Sequence, residues 1–359
     1  MTILHITGAR PNFPKAAPVM RALANLGLEQ FLVHTGQHYD DRMSEIFFRE
    51  LEIPTPDVNL GIGSGSHAGQ TARLLSELEP IIVRPETELV VVYGDVNSTV
   101  AAALVASKEH IPVAHVEAGL RSFDRDMPEE INRILTDQLS DLLFVTSPDA
   151  IAHLAREGVA AEKIHFVGNP MIDTLLANLD RFDVDRARQQ HALSGPYAVM
   201  TLHRPANVDR DEDARRVIEA VRIVASNGEV VFPVHPRGRD RLMSLGLGDI
   251  SGVKITEPLG YIDFLSVVRG ANFVVTDSGG IQEETTILGV PCLTLRTTTE
   301  RPITISNGTN RLVTFESLAE SINTIGNMPS SEMRVPPLWD GHAGERIASF
   351  IDQWRLSHG

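Results

Sequence analysis

The chain has 359 residues, of which 42% are hydrophobic and 22% charged, and its formal net charge is −15. This length favours two domains, and the negative charge argues against nucleic acid and anionic membrane surfaces as partners. The single cysteine, Cys292, excludes an internal disulfide and a cysteine metal cage. No apolar run approaches the roughly 18 residues that span a membrane. Because the first residues resemble a buried strand rather than a signal peptide, we expect a cytoplasmic protein.

Apolar, β-branched runs alternate with amphipathic stretches along the whole chain. Short apolar strands between helices are typical of parallel sheets covered on both faces. In chain order, the predicted strands are Ile3–Thr7, Phe31–His34, Leu89–Tyr93, Val113–Glu117, Leu142–Val145, Ala198–Leu202, Val230–Val234, Phe273–Thr276 and Cys292–Leu295. The predicted helices include Lys15–Leu26, Ser98–Lys108, Pro128–Leu139 and Ala214–Ala225. Two such series predict an α/β fold with two doubly wound, Rossmann-like domains that face a cleft.

A polar, helix-rich segment separates the two strand series. The strand-like run His165–Val167 leads into Gly168, and the second series begins at Tyr197 after the turn-like Ser194-Gly195-Pro196. We therefore predict a first domain over residues 1–168, a second over residues 169–340, and a C-terminal segment over residues 341–359. Ligands of doubly wound sheets bind at the carboxyl ends of the strands, so the functional residues should follow the strands directly.

The first predicted strand ends in a loop that carries two cations. The segment GARPNFPK, which begins at Gly8, lacks the G-x-G-x-x-G pattern of dinucleotide-binding folds. Arg10 and Lys15 stand beside a helix start, a combination that suits a phosphate or a carboxylate. A surface turn with two solvated charges is the alternative.

Three acidic residues of the first domain follow strands or open a helix. Asp95 either caps the next helix or takes part in chemistry, since the polar residues after it can cap instead. Glu117 ends the following strand on the same face as His115. Glu129 opens a helix, where an acidic side chain also favours the helix dipole. We predict that the three carboxylates converge for proton transfer; a metal at His115 and Glu117 would need further ligands, which the sequence does not offer at sensible spacing.

Two histidines follow strands in the second domain, each with an arginine nearby. His203 and Arg204 come after one strand, and His235 comes after the next. A solitary histidine in such a place is more often structural than catalytic. Two such pairs in one half of the chain favour contacts with phosphate.

A glycine-rich turn in the second domain predicts a phosphate site. A strand ends at Thr276, and Ser278, Gly279 and Gly280 then open a helix whose backbone N–H groups can cradle a phosphate. Glu284 lies one turn into this helix, where a carboxylate can accept hydrogen bonds from ribose hydroxyls. Arg301 adds a cation after a later strand.

Together these segments resemble the non-hydrolysing UDP-N-acetylglucosamine 2-epimerases, a family with the two-domain architecture called glycosyltransferase B. The most specific matches are HVEAGLRSFDRDMPEEINR, from His115, and TDSGGIQEE followed by TTERP, from Thr276. Further matches occur in family order: GARPNFPKAAPV, TGQHYD, VVYGDVNSTVAAAL, TLHRPANVD, PVHP and EPLGYIDF. They span nearly the whole chain.

The resemblance implies an isomerase that interconverts UDP-N-acetylglucosamine and UDP-N-acetylmannosamine without a metal or another cofactor. The implied route eliminates UDP to leave a 2-acetamidoglucal and then adds UDP back. The resemblance also implies a homodimer and a C-terminal helix, near Gly344–Leu356, that crosses back to the first domain. The implied catalytic residues are Asp95, Glu117, Glu129 and His203. The implied substrate-binding residues are Arg10, Lys15, Arg204, His235, Phe264 (near the uracil), Ser278, Gly279, Gly280, Glu284 and Arg301.

Three other functions stay open at this point. Relatives epimerise modified UDP-N-acetylhexosaminuronic acids, a glycosyltransferase of the same fold would pass the sugar to an acceptor, and a sensor would bind the nucleotide sugar without turnover. Family members with a second, regulatory UDP-sugar site use a glutamine that matches Gln37, a second glutamine and an arginine. Here Asp40 replaces the second glutamine and Gly61–Gly69 contains no arginine, so we predict unregulated, hyperbolic kinetics. Restoration of that site by Arg42 or Arg73 is the alternative.

Overall fold

The computed structural model describes residues 2–36, 41–325 and 334–358. Contacts divide the chain into two compact units. The first consists of Met1–Ala177 with Pro337–Gly359, and the second of Asn178–Pro336. Within the described ranges, no helix has both the length and the apolar character needed to cross a membrane.

The first unit is built on a seven-stranded sheet whose strands all pair in parallel, in the order β3-β2-β1-β4-β5-β6-β7. The strands are β1 (Thr2–Thr7), β2 (Glu29–His34), β3 (Val58–Asn59), β4 (Thr87–Tyr93), β5 (Val113–Ala118), β6 (Leu142–Val145) and β7 (Ile164–Phe166). The helices are α1 (Phe13–Asn25), α2 (Asp41–Glu50), α3 (His67–Ile82), α4 (Asn97–Lys108), α5 (Pro128–Leu139), α6 (Pro148–Arg156) and α7 (Pro170–Ala177). The strand order reverses between β1 and β4. The carboxyl ends of these two strands therefore form the switch point where doubly wound sheets bind ligands.

The second unit repeats this plan with a six-stranded parallel sheet in the order β10-β9-β8-β11-β12-β13. Its strands are β8 (Tyr197–Thr201), β9 (Glu229–Pro233), β10 (Val253–Thr256), β11 (Phe273–Thr276), β12 (Cys292–Leu295) and β13 (Asn310–Val313). Its helices are α8 (Val184–Gln190), α9 (Pro205–Val208), α10 (Asp211–Ala225), α11 (Pro236–Ser244), α12 (Tyr261–Arg269), α13 (Gly279–Leu288), α14 (Ile303–Ser306) and α15 (Leu318–Thr324). Here the switch point lies between β8 and β11. The predicted α/β fold with two doubly wound domains is confirmed.

The C-terminal helix α16 (Ala343–His358) belongs to the first unit, where it packs on α1 and α7. The backbone N–H of Gly344 donates to Asp173 Oδ2 over 2.7 Å. A Cβ atom at Gly344 would come within 2.7 Å of the Pro18 carbonyl oxygen, so only glycine permits this close approach to α1. Just before the helix, the indole of the buried Trp339 donates to the Thr146 carbonyl over 2.9 Å.

The boundary between the units lies one helix later than the sequence-based boundary after Gly168. Helix α7 packs on α1, and the Thr174 hydroxyl donates to the carbonyl of Pro14 over 2.6 Å. These contacts join α7 to the first unit, which therefore ends at Ala177. Turn residues in the sequence carry no information about such packing between helices, so a boundary predicted from them alone misses it.

Candidate functional site

The switch point of the first unit is organised around Asn12, in the loop that follows β1. Asn12 Oδ1 accepts hydrogen bonds from the backbone N–H groups of Gly8 (2.9 Å) and Ala9 (3.1 Å). Asn12 Nδ2 donates to the carbonyl of Tyr93, the last residue of β4, over 2.8 Å. The buried amide thus ties the ends of β1 and β4 together, with the half-buried Arg10 in the same loop. We did not predict a role for Asn12, although its place beside Pro11 in a loop after a strand is a usable signal.

Lys15 and Glu117 form a buried ion pair at this switch point. Lys15 Nζ contacts Glu117 Oε2, and the two side chains are only 5% and 3% exposed. A Cβ atom at Gly94 would lie 3.1 Å from Lys15 Nζ and 3.2 Å from Glu117 Oε2, so glycine at the end of β4 leaves room for the pair. The ammonium group that we predicted to bind an anionic ligand therefore faces a predicted catalytic carboxylate.

Glu117 also has an unusual backbone conformation. Its φ is 75°, in the left-handed region that non-glycine residues seldom adopt, and the pairing of β5 with β6 shifts register between Val116 and Ala118. Such a conformation costs on the order of 1–3 kcal/mol and persists where the surroundings enforce it, often at functional sites. The ion pair with Lys15 is a contact that offsets this cost and holds Glu117 near the end of β5.

Arg133 and Asn132 of α5 anchor Asp95, which follows β4. Arg133 Nη1 contacts Asp95 Oδ2, and Asn132 Nδ2 donates to the Asp95 carbonyl over 2.9 Å. Helix α4 begins after Val96 without a side-chain cap. Asp95 therefore does not cap this helix, and an arginine that we did not predict orients its carboxylate.

The two adjacent glutamates at the start of α5 differ in their surroundings. Glu130 is buried, accepts hydrogen bonds from the N–H of Ser122 (2.9 Å) and of Phe123 (3.0 Å), and pairs with Arg133 (2.6 Å). Burial raises the pKa of Glu130, but the bonds from Ser122 and Arg133 outweigh it and hold this pKa below its usual value. Glu129 is half-buried, and its carboxylate forms no hydrogen bond or ion pair with the described residues. Glu130 therefore has the structural role at the start of α5, and Glu129 is available for proton transfer.

At the switch point of the second unit, Asp277 orients His203. The half-exposed His203 ring lies with Nδ1 2.9 Å from Asp277 Oδ1, and Asp277 Oδ2 accepts from the N–H of Arg204 (2.9 Å) and from Asn207 Nδ2 (2.8 Å). Burial raises the pKa of Asp277, but the charge and hydrogen bond of His203, with the other donors, outweigh burial and lower it to about 2. The Asp277 carboxylate therefore stays ionised and holds the His203 ring with Nδ1 toward Asp277. The His235 ring lies 6.0 Å away, centroid to centroid.

The start of helix α13 forms the predicted glycine-rich turn. Its N-cap residue, Ser278, makes no side-chain capping bond, so the first-turn N–H groups are suited to an anion. A Cβ atom at Gly279 would come within 2.5 Å of Arg301 Nη1 and 2.7 Å of Glu300 Oε1. A larger residue at Gly279 would therefore displace these side chains as well as obstruct a ligand.

Arg301 is not an isolated cation. It is buried, its Nε lies 3.0 Å from Glu283 Oε1, and its Nη1 contacts Glu300 Oε1. Glu300 also pairs with Arg296 over 2.6 Å. The two glutamates, which we did not predict, compensate the charge that we assigned to phosphate binding and fix Arg301 against the glycine-rich turn.

Glu284 is buried on helix α13, and its surroundings favour the protonated, neutral carboxyl group. Burial and the neighbouring Glu283 carboxylate raise the pKa of Glu284 to about 8, and the nearby Tyr261 hydroxyl offsets only part of this rise. Tyr261 begins α12, and the half-buried Phe264 lies one turn further along that helix. A protonated Glu284 can donate a hydrogen bond to a hydroxyl group of a ligand and can also accept one from it.

The raised pKa of Glu284 predicts a pH-dependent stability. Because the folded pKa exceeds the ordinary value of 4.5, folding retains a proton between about pH 4.5 and 8. The stabilisation is therefore fully present below pH 4.5 and is lost as the pH rises through about 8, by as much as about 5 kcal/mol. Urea unfolding without ligand should show that Glu284→Gln lowers this pH sensitivity. Glu316→Gln, at an exposed glutamate of the same unit, is the control and should follow the unchanged protein; parallel pH profiles for Glu284→Gln and the unchanged protein would contradict the assignment.

Comparisons with known proteins identify similar sequences and structures. A family model described as UDP-N-acetylglucosamine 2-epimerase matches residues 21–352. The UDP-N-acetylglucosamine 2-epimerase of Methanocaldococcus jannaschii is 42% identical over 98% of this chain and 99% of the relative. The UDP-2,3-diacetamido-2,3-dideoxy-D-glucuronate 2-epimerase of Pseudomonas aeruginosa is also 42% identical, over the same shares of the two chains. The crystal structure of the M. jannaschii enzyme in complex with UDP-GlcNAc and UDP superposes with a TM-score of 0.92, at 42% identity over 98% of this chain and 100% of that chain.

The two doubly wound parallel sheets and the similar solved structures define a nucleotide-sugar enzyme of the glycosyltransferase B type. The matches narrow this class further. The chain belongs to the UDP-N-acetylglucosamine 2-epimerase family. The resemblance recognised in the sequence is confirmed.

Proposed function

We propose that the protein interconverts UDP-N-acetylglucosamine and UDP-N-acetylmannosamine. The observation that carries the proposal is the pair of anchored carboxylates at the first switch point, Glu117 against Lys15 and Asp95 against Arg133. Inversion at C2 of the sugar needs proton transfer on two faces of one carbon, and therefore at least two acid–base groups. Asp95, Glu117 and Glu129 supply them.

The reaction we propose begins with cleavage of the bond between C1 and the UDP oxygen. The C2 hydrogen is not acidic by itself, but positive charge that develops at C1 makes it removable. A carboxylate takes this proton as UDP leaves with the bonding electrons, and a 2-acetamidoglucal remains. A second acid then returns a proton to the opposite face of C2, and the UDP oxygen adds back to C1. Both half-reactions balance without a metal or a redox cofactor.

We assign the departing UDP to residues at the second switch point. Negative charge grows on the diphosphate as the C1–O bond breaks, so contacts that strengthen with this charge stabilise the transition state more than the substrate. The glycine-rich turn, His203 and Glu284 support this assignment. In the second unit the proposed ligand-binding residues are Arg204, His235, Phe264, Ser278, Gly279, Gly280, Glu284 and Arg301, with His203 acting on the phosphate or as a catalyst. In the first unit the proposed ligand-binding residues are Arg10 and Lys15.

The P. aeruginosa relative supports a second candidate, a 2-epimerase of a UDP-diacetamido hexuronic acid. Separate incubations with each UDP-sugar, followed by chromatography, distinguish the two. We expect UDP-N-acetylmannosamine from UDP-N-acetylglucosamine; turnover of the uronic acid alone would favour the second candidate. Release of UDP only when an acceptor sugar is added would instead indicate a glycosyltransferase, and binding without turnover would indicate a sensor.

We also propose a homodimer, as the family resemblance implies, and a location in the cytoplasm. A cytoplasmic enzyme of this kind would meet UDP-sugars where nucleotide sugars are made. Sedimentation velocity of the purified protein should give a single species of twice the mass of 39.3 kDa. A monomer at all concentrations would contradict the dimer.

Regulation by a second UDP-sugar stays a prediction, because Gln37 and Asp40 lie outside the described residues and the side chain of Arg42 is not described either. Arg73 Nη2 lies 3.4 Å from the carbonyl of Ile62 and 3.5 Å from that of Ser64, so it contacts the segment Gly61–Gly69. We expect hyperbolic kinetics and conversion of UDP-N-acetylmannosamine without added UDP-N-acetylglucosamine. A strict requirement for the added sugar would contradict this prediction, and loss of the activation in Arg73→Ala would then show that Arg73 restores the regulatory site.

A further inference from the structure

A buried histidine–aspartate pair contacts the backbone near the two anchored carboxylates, Asp95 and Glu117. His115, on β5, is fully buried; its Nε2 lies 2.8 Å from the Gly94 carbonyl and its Nδ1 lies 2.6 Å from Asp137 Oδ1, on α5. A carbonyl oxygen only accepts, so Nε2 carries a hydrogen and donates it to Gly94. Nδ1 lies within hydrogen-bonding distance of a carboxylate oxygen, so the ring bridges the Gly94 carbonyl and Asp137.

Asp137 also holds the chain on the other side of Glu117. Its Oδ2 accepts from the backbone N–H of Gly119 over 3.1 Å and pairs with Arg121 over 2.7 Å. Arg121 in turn pairs with Glu157 over 2.6 Å. The buried charges are therefore compensated within the cluster, as burial requires.

These contacts act on the peptide groups next to the proposed catalytic carboxylates. The Gly94 carbonyl belongs to the peptide that joins Gly94 to Asp95, and Gly119 follows the left-handed Glu117 by two residues. One buried pair thus sets the backbone on which both carboxylates stand. A displacement of about 1 Å in such a group can cost about 10²-fold in rate.

We propose that His115 and Asp137 are positioning residues, which hold the backbone of Asp95 and Glu117 in the geometry that proton transfer at C2 requires. This inference rests on the proposed function. The HVEAGLR motif contributes His115 as well as Glu117, and the structure assigns the histidine to the support of the carboxylates.

Two substitutions, His115→Asn and His115→Gln, distinguish the effect of the hydrogen bond to Gly94 from the effect of burying a side chain at this position. The amide of glutamine reaches the place of imidazole Nε2, whereas that of asparagine reaches only the place of Nδ1. We expect His115→Asn to lower kcat by about 30- to 100-fold with KM within about threefold, and His115→Gln to stay within about tenfold of the unchanged enzyme. His5→Asn is the control, because His5 is equally buried in strand β1 of the same sheet, with its Nδ1 2.8 Å from the Tyr93 hydroxyl. It should lower the Tm by a similar amount and change kcat by less than about threefold.

A second measurement reports on the contact without catalysis. Labelling glycine carbonyl carbons with 13C and aspartate nitrogens with 15N selects the two Gly-Asp peptides of the chain, Gly94–Asp95 and Gly248–Asp249. The Gly94 signal should move in His115→Asn and return in His115→Gln, while the Gly248 signal stays in place in both.

Three results would overturn the proposal: an unmoved Gly94 signal in His115→Asn, a kcat for that variant close to that of the unchanged enzyme, or an equal loss of kcat in all three variants. Failure of the unchanged protein to epimerise would contradict the proposed function but not the contact between His115 and Gly94. The Gly94 signal tests that contact separately, because it does not depend on catalysis.

Discussion

Glu117→Gln should reduce kcat by about 10²–10⁴-fold, the usual range for the loss of a general acid or base. Glutamine keeps the shape of the side chain but cannot exchange a proton. The same change leaves Lys15 buried without its carboxylate, and breaking a buried ion pair costs about 3–5 kcal/mol. Kinetics should therefore be measured below the lowered Tm. Asp95→Asn should lose activity to a similar degree with a smaller loss of stability, because the Asp95 side chain is 27% exposed.

Asp173→Asn is the matched control for these carboxylates. Asp173 is a buried carboxylate of the same unit, but it binds the start of α16 and lies outside the candidate site. Its replacement should change the Tm while kcat stays within about threefold. Near-normal kcat in folded Glu117→Gln would show that Glu117 serves only as the partner of Lys15, and the same result for Glu129→Gln would assign Glu129 to the helix start.

Asp277→Asn should be the most damaging single change in the second unit. The pKa of Asp277, lowered from 3.8 to about 2, corresponds to about 2–3 kcal/mol of stability at neutral pH. This contribution is present above about pH 3.8 and is lost as the pH falls through about 2. Asparagine also presents an N–H₂ group to donors such as the Arg204 N–H, which adds about 1–3 kcal/mol. Because His203 loses its orientation, kcat/KM should fall by at least about 10²-fold.

Asn207→Ala is the control for Asp277. It removes one of the donors to Asp277 and keeps the contact between Asp277 and His203. Thermal unfolding and initial rates should show a smaller loss in both quantities. A variant Asp277→Asn with unchanged Tm and kcat/KM would show that Asp277 neither stabilises the turn nor orients His203.

Central strands and well-marked helices could be predicted from the sequence. The predicted bounds of β6, β11 and β12 agree with the structure, since these strands are buried throughout and read as continuous apolar runs. Helix α5 also begins and ends as predicted, because Pro128 marks its first turn. The unpredicted strands β3, β10 and β13 all lie at sheet edges. Edge strands are short and largely half-buried, so their apolar signal is weak.

The candidate site shows a similar division between local and long-range information. That Asp95, Glu117, His203 and the glycine-rich turn follow strands could be predicted, because parallel strands direct their carboxyl ends to one edge. Their partners could not. Lys15 and Glu117 are 102 residues apart, and Asp277 and His203 are 74 residues apart. Such pairs depend on which strands become neighbours, a property of the sheet order that short motifs do not carry.

In the proposed reaction, epimerisation proceeds by removal of the C2 proton and loss of UDP. The most direct measurement is proton NMR of UDP-N-acetylglucosamine incubated with the protein in D2O. We expect the C2 proton signal to disappear as UDP-N-acetylmannosamine forms, because the carboxylate that returns the proton exchanges with solvent. Epimerised sugar that retains its original C2 hydrogen would contradict the elimination route and the roles assigned to Asp95, Glu117 and Glu129.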